Sequence, residues 1–305
     1  MSQREGKVHT ILRKIWKDRF GYVLLVPALI VFILFRTYPL VKAIIYSFYE
    51  VNPVGGDLYT GLTNYREMLS TPEFIGSIGV TFLFTIVTVP LMLVVALSLA
   101  LACSYKPLRG KGFFKAIFFM PFILSWVVVG IIWKWYFSAK FGVVNIFLNT
   151  VGIPPQNWLV DTRLTLLCVI FVTLWKLSGL FMVIFAANLQ MINPELYDAA
   201  SIDGAGSLQK FRYVTIYQLM PAIVTSIILG TIFFFRTFTI IFIMTGGDPA
   251  GTTNLLAYYI YTLGLESFEF GYAFVGITFM FMVVSMILIF QIILTREKRA
   301  VTVYG

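Results

Sequence analysis

Long apolar runs separated by short polar connections dominate this chain. Six runs are long enough for a crossing helix, which needs about 20 mostly apolar residues. They fall at about 20–45, 76–104, 114–137, 164–187, 215–244 and 271–294. The runs are continuous rather than alternating, which excludes a closed barrel of period-two strands. The pattern predicts an all-α membrane protein with six transmembrane helices. Residues 1–19 form a basic N-terminal segment, 20–294 one membrane domain, and 295–305 a short tail.

One connection breaks the pattern. Between the fourth and fifth runs, the polar loop at about 190–213 contains its own helix signals. Asn193 is a good N-cap and Pro194 suits the first helical position. Glu195 and Asp198 place negative charge near the positive helix end. Gly204 can adopt the left-handed conformation that stops a helix. The spacing predicts about three turns of helix lying across a membrane face.

Composition agrees with the runs. Of 305 residues, 59% are hydrophobic and only 12% charged, with mean hydropathy +0.88. A soluble domain is about a quarter charged. Cys103 and Cys168 lie in or beside apolar runs without ligand-like spacing, so they read as packing residues. The net charge of +9 is too dispersed for nucleic-acid binding. Basic residues before Phe20 resemble a signal peptide, but no small-residue cleavage site follows; an uncleaved first span is expected.

The basic residues predict orientation. Arg4, Lys7, Arg13, Lys14, Lys17 and Arg19 precede the first run; Lys106, Arg109, Lys111 and Lys115 follow the second. Lys210 and Arg212 follow the fourth, and Arg296, Lys298 and Arg299 the sixth. The opposite connections hold only Arg66, Lys140 and Arg163. The positive-inside rule therefore puts both termini, and the polar loop, in the cytoplasm.

Five bases fall within or at the ends of runs: Arg36, Lys42, Lys134, Lys176 and Arg236. Each costs about 2.5–3.5 kcal/mol at the centre of a lipid-facing helix. Arg36, Lys42 and Lys134 lie toward outer ends, where long side chains snorkel. Lys176, near the middle of the fourth run, and Arg236 face protein or water. For both, pairing with backbone carbonyls or a neighbouring subunit competes with lining a substrate path; Trp175 is a third candidate for that path.

The sequence Glu195-Leu196-Tyr197-Asp198-Ala199-Ala200-Ser201-Ile202-Asp203-Gly204-Ala205 resembles the coupling loop of ATP-binding-cassette importer permeases, and its long form resembles the carbohydrate class. Further matches lie in order along the chain: Gly61 to Tyr65, Met120-Pro121, Trp133-Lys134-Trp135, Trp175-Lys176 and Thr245 to Pro249. The nearest likeness is to the compact first permease subunit of maltose, multiple-sugar and glycerol-phosphate importers. Two positions depart. Asp198 stands where the family usually has Glu, and Tyr217 where it usually has Pro, which bears on where the following helix begins.

The resemblance implies a type I importer permease fold in a prokaryotic plasma membrane, with a cytoplasmic coupling helix at 194–204. It implies a second permease, two ATP-binding-cassette subunits and an extracytoplasmic solute-binding protein as partners. This chain has no Gly-x-x-x-x-Gly-Lys-[Ser/Thr] phosphate loop, so ATP and Mg²⁺ are expected on the ATPase, with no catalytic or metal-binding residues here. Glu195, Asp198, Ala199, Ala200, Asp203, Gly204 and Ala205 are the expected coupling residues: small alanines for close approach, acids for basic partners, glycine for the sharp return. Three other readings stay open. A secondary transporter would need intramembrane acids, and the runs hold none; a scaffold would use the helix without transport; an importer of the same class could carry peptides, amino acids or ions.

Overall fold

In a membrane every backbone N–H and C=O must find its partner inside the protein, so an apolar run of this length becomes a helix. The computed structural model describes residues 19–52, 55–104 and 109–303. Residues 1–18, Lys106 and the last two residues of the expected tail lie outside the described residues.

The first span, α1 (Val23–Tyr46), contains a π-helical turn at Ile33–Thr37. A two-residue hairpin follows, β1 (Tyr49–Glu50) against β2 (Leu58–Tyr59), with Tyr49 opposite Tyr59. Next come α2 (Thr63–Ser70), α3 (Pro72–Ser104), α4 (Lys111–Ile123), α5 (Trp126–Tyr136) and α6 (Val143–Thr150). The second half comprises α7 (Thr165–Gln190), α8 (Pro194–Ile202) and α9 (Ser207–Phe235), which includes a π-helical turn at Lys210–Thr215. It ends with α10 (Thr239–Met244), α11 (Leu256–Tyr261) and α12 (Phe270–Val303).

Two spans differ from expectation. The third, read as one run over about 114–137, is a pair of helices, α4 and α5, bent by 96°. Ser125 stands at the break with its side chain accepting from Val127 N, so it starts α5 as an N-cap. The fifth, read as about 215–244, begins earlier, at Ser207, and its long helix ends at Phe235. With Tyr217 in place of a proline, the helix runs on through the π-turn and past Pro221. The remainder of that run folds as the separate helix α10.

The core lies where α7 packs along α3, with α4 and α9 on its flanks. Phe84, Phe181, Met182, Phe185 and Phe234 are fully enclosed there. Gly179 brings two helices into near contact: a Cβ at this position would lie 2.1 Å from Phe118 O on α4. Cys103 and Cys168 are buried and free, as packing residues should be.

A second, smaller core of Met68, Phe74, Leu256, Tyr259 and Val275 joins α2, α3, α11 and α12. The Gly61–Tyr65 motif serves this end of the molecule. Asn64 donates to the carbonyls of Ser47 (3.2 Å) and Tyr49 (2.9 Å), and Tyr65 Oη meets Ser47 Oγ at 2.6 Å. These bonds tie the end of α1 to the loop. By contrast, Val23 to Phe35 of α1 are exposed, and α1 meets the rest chiefly where Tyr38–Tyr46 lies on α12.

Candidate functional site

Two features stand apart from the packed core: the short helix α8 and a cavity at the two span breaks.

Helix α8 is closed at both ends by its own sequence. Asn193 Oδ1 accepts from Glu195 N at 3.1 Å, and Asn193 Nδ2 donates to Glu195 Oε2 at 3.0 Å. Pro194 occupies the first turn, where its missing N–H costs nothing. At the other end Gly204 has φ +76°. Ala205 N donates to Ala200 O (2.8 Å) and Gly204 N to Ser201 O (3.1 Å). That pair of bonds is the Schellman closure, which satisfies the last carbonyls of the helix.

The helix has two unlike faces. Glu195, Asp198, Ala199 and Ile202, spaced i, i+3, i+4, i+7, form one exposed stripe, and Ile202 is 87% exposed. Tyr197 and Ala200 turn inward and are half-buried. Tyr197 Oη lies 2.9 Å from Thr215 Oγ1, and Thr215 is buried at the end of the π-turn of α9. Lys210 Nζ donates to Ser201 Oγ at 2.6 Å. Arg212 lies over the Tyr213 ring at 5.7 Å. Among the described residues, neither base pairs with an acid of this loop. Glu195, Asp198 and Asp203 thus present their charge outward. Beyond the helix, Leu208 and Tyr213 are also exposed.

The second feature lies where both broken spans meet. A cavity of about 440 Å³ is bounded by Phe122 and Trp126 from the third span, Leu177 from α7, and Phe233, Arg236 and Phe238 from the fifth. No acid lines it. Arg236 is the C-cap residue of α9, and its side chain is exposed.

The three candidate path residues separate here. Lys176 is only 2% exposed. Its ammonium donates to the carbonyls of Pro121 (3.2 Å), Phe122 (3.1 Å) and Leu124, and sits 4.9 Å from the Trp126 ring. These carbonyls are the ones the bend leaves without helical partners, so Lys176 braces the break from behind the cavity wall. Trp175 packs edge-on to Trp133 at 5.4 Å, in an aromatic cluster with Phe171, and does not line the cavity. Only Arg236 lines it. Lys134 is exposed and donates to Ile243 O at 3.1 Å, where α5 packs on α10.

Sequence reasoning missed the break in the third span and the bond between Tyr197 and Thr215. Pro121 was a visible signal for the first; nothing local marks the second. The glycines of Thr245 to Pro249 prove to be turn residues. Gly247 has φ +82°, and a Cβ there would lie 2.8 Å from Tyr258 Cε1.

Residues 92–299 match the family described as the binding-protein-dependent transport system inner membrane component. The chain is 32% identical over 250 residues to the trehalose/maltose transport system permease protein of Thermococcus litoralis, covering 81% of this chain and 84% of that protein. It is 32% identical over 252 residues to the sulfoquinovosyl glycerol transport system permease protein of Agrobacterium fabrum, with 82% of each covered. Its fold superposes on a chain of a bacterial ABC transporter involved in import of the acidic polysaccharide alginate. The TM-score is 0.83 at 23% identity, covering 94% of this chain and 99% of that one.

Proposed function

This chain belongs to the family of inner membrane components of binding-protein-dependent transport systems, and from that premise we propose that it is a permease subunit of an ATP-driven sugar importer. A second, related permease completes the path. Two ATP-binding-cassette subunits bind ATP and Mg²⁺ and hydrolyse the nucleotide. An extracytoplasmic binding protein delivers the sugar, and both termini of this chain lie in the cytoplasm.

Helix α8 carries the reading. It is a capped rod that shows an acidic and apolar stripe outward and is bonded inward to a membrane span. Such a part takes up motion from a partner on one face and passes it to α9 on the other. Ala199 permits close approach, and Glu195, Asp198 and Asp203 attract basic groups in the ATPase groove. Ala200 and Tyr197 hold the helix against the π-turn. Gly204 and Ala205 turn the chain back to the membrane. ATP-driven closure of the ATPase pair would then shift α9, which also forms one wall of the cavity. The names of relatives that carry trehalose, maltose and sulfoquinovosyl glycerol support a saccharide as cargo.

The test is purification of the chain from its native membrane with whatever stays bound, followed by transport in proteoliposomes. Recovery of a second permease and a P-loop ATPase, with sugar uptake that needs ATP, is the expected result. Ala200→Asp and Gly204→Arg should leave membrane insertion intact and uncouple ATP hydrolysis from uptake. Recovery of the chain alone, transporting without ATP, would overturn the reading.

A further inference from the structure

The membrane bases are not equivalent once their surroundings are compared. Lys176 is saturated by three carbonyls, Lys134 holds Ile243 O, and Lys42 lies between the rings of Tyr38 and Tyr46 at 5.4 Å from each. Arg36 borders a groove formed by α1 alone. Arg236 alone of the five lines the cavity, and among the described residues no carboxylate or carbonyl engages its guanidinium. It is also deep. Leu177, which shares the lining, is the midpoint of the 26-residue helix α7. An unpartnered cation at that depth, facing a cavity rather than packed protein, marks a functional site.

We propose that Arg236 makes this permease selective for anionic saccharides, those bearing a carboxylate, sulfonate or phosphate group. The inference rests on the sugar-importer reading and adds the charge of the cargo. A guanidinium offers a planar fork of donors that matches the paired oxygens of such groups. Phe122, Trp126, Phe233 and Phe238 line the same cavity with apolar rings, a surface that suits the C–H side of a sugar ring, so one cavity offers both halves of the ligand a partner. Its volume falls within the 300–1,000 Å³ typical of small-molecule sites. No acid in the lining competes for the guanidinium or repels the anion. Buried Lys176, 4.9 Å from the Trp126 ring, adds a second positive charge behind the wall. Trp175, although aromatic and adjacent in sequence, has no part in this recognition.

The test uses the complete importer with its binding protein, in liposomes loaded with ATP. The probe is an equimolar mixture of neutral, uronate-, sulfonate- and phosphate-bearing mono- to tetrasaccharides. Mass spectrometry of the lumen identifies what enters. Enrichment of one acidic class is expected, and the class enriched distinguishes the three anions. Arg236→Gln should then lower the acidic-to-neutral uptake ratio about tenfold or more, and Arg236→Lys should restore part of it. Assembled complex recovered in normal yield shows that both variants fold. ATP-dependent entry of neutral sugars alone, or an unchanged ratio in Arg236→Gln, overturns the anion proposal and leaves the sugar importer standing. Entry of no saccharide at all overturns both.

Discussion

Lys176 and Arg236 show how little residue type alone says about role. Both are bases on apolar helices, and the sequence leaves structural and path-lining roles open for each. Partners decide between them: carbonyls at the 96° bend surround Lys176, whereas Arg236 faces open space. Lys176→Met should therefore leave those three carbonyls unsatisfied and destabilise the protein by about 3 kcal/mol or more, given about 1–3 kcal/mol for each orphaned buried group. Thermal unfolding of the purified complex would show this as a lower midpoint; an unchanged midpoint would contradict the bracing role. Tyr197→Phe removes only the hydroxyl that meets Thr215. Fewer sugars carried per ATP hydrolysed, at normal assembly, is the expected result, and an unaltered ratio would show that the bond transmits nothing.

Among the elements, α8 was the most legible from sequence, because caps are local. Asn193, Pro194 and Gly204 act within one turn of themselves and need no distant partner. Asn193→Ala should cost the helix about 1 kcal/mol. Gly204→Ala should cost about 1–2 kcal/mol, because an L-residue at φ +76° is strained even where a Cβ meets nothing. Hydrogen exchange would report both as faster exchange of the 195–202 amides, with little change in α7. Equal acceleration in both helices would mean the caps stabilise the whole protein. The span breaks were less legible. Apolar runs over 114–137 and 215–244 look continuous, since hydropathy carries no record of direction, and a bent pair of helices is as apolar as a straight one. What holds the first bend is Lys176, about 50 residues further along the chain.

At the scale of the whole molecule, the charge alternation predicts opposite membrane sides for α8 and for the loop before α7. Cysteine placed at Asp203 should react with a membrane-impermeant thiol reagent only from the cytoplasmic face. Cysteine at Asp161 should react only from outside, and reversed labelling would invert the topology. The exposed apolar surface of Val23 to Phe35 belongs to lipid or to a neighbouring subunit, since water cannot solvate it cheaply. The sequence by itself determined that the chain spans a membrane, roughly where, and that a capped helix interrupts it. Those properties follow from local hydropathy, charge and backbone preference. Only the tertiary structure decided which cation is buried and which is open, where two spans break, and that Tyr197 reaches Thr215. Each of these depends on groups far apart in sequence meeting at bonding distance, which no single stretch of residues encodes.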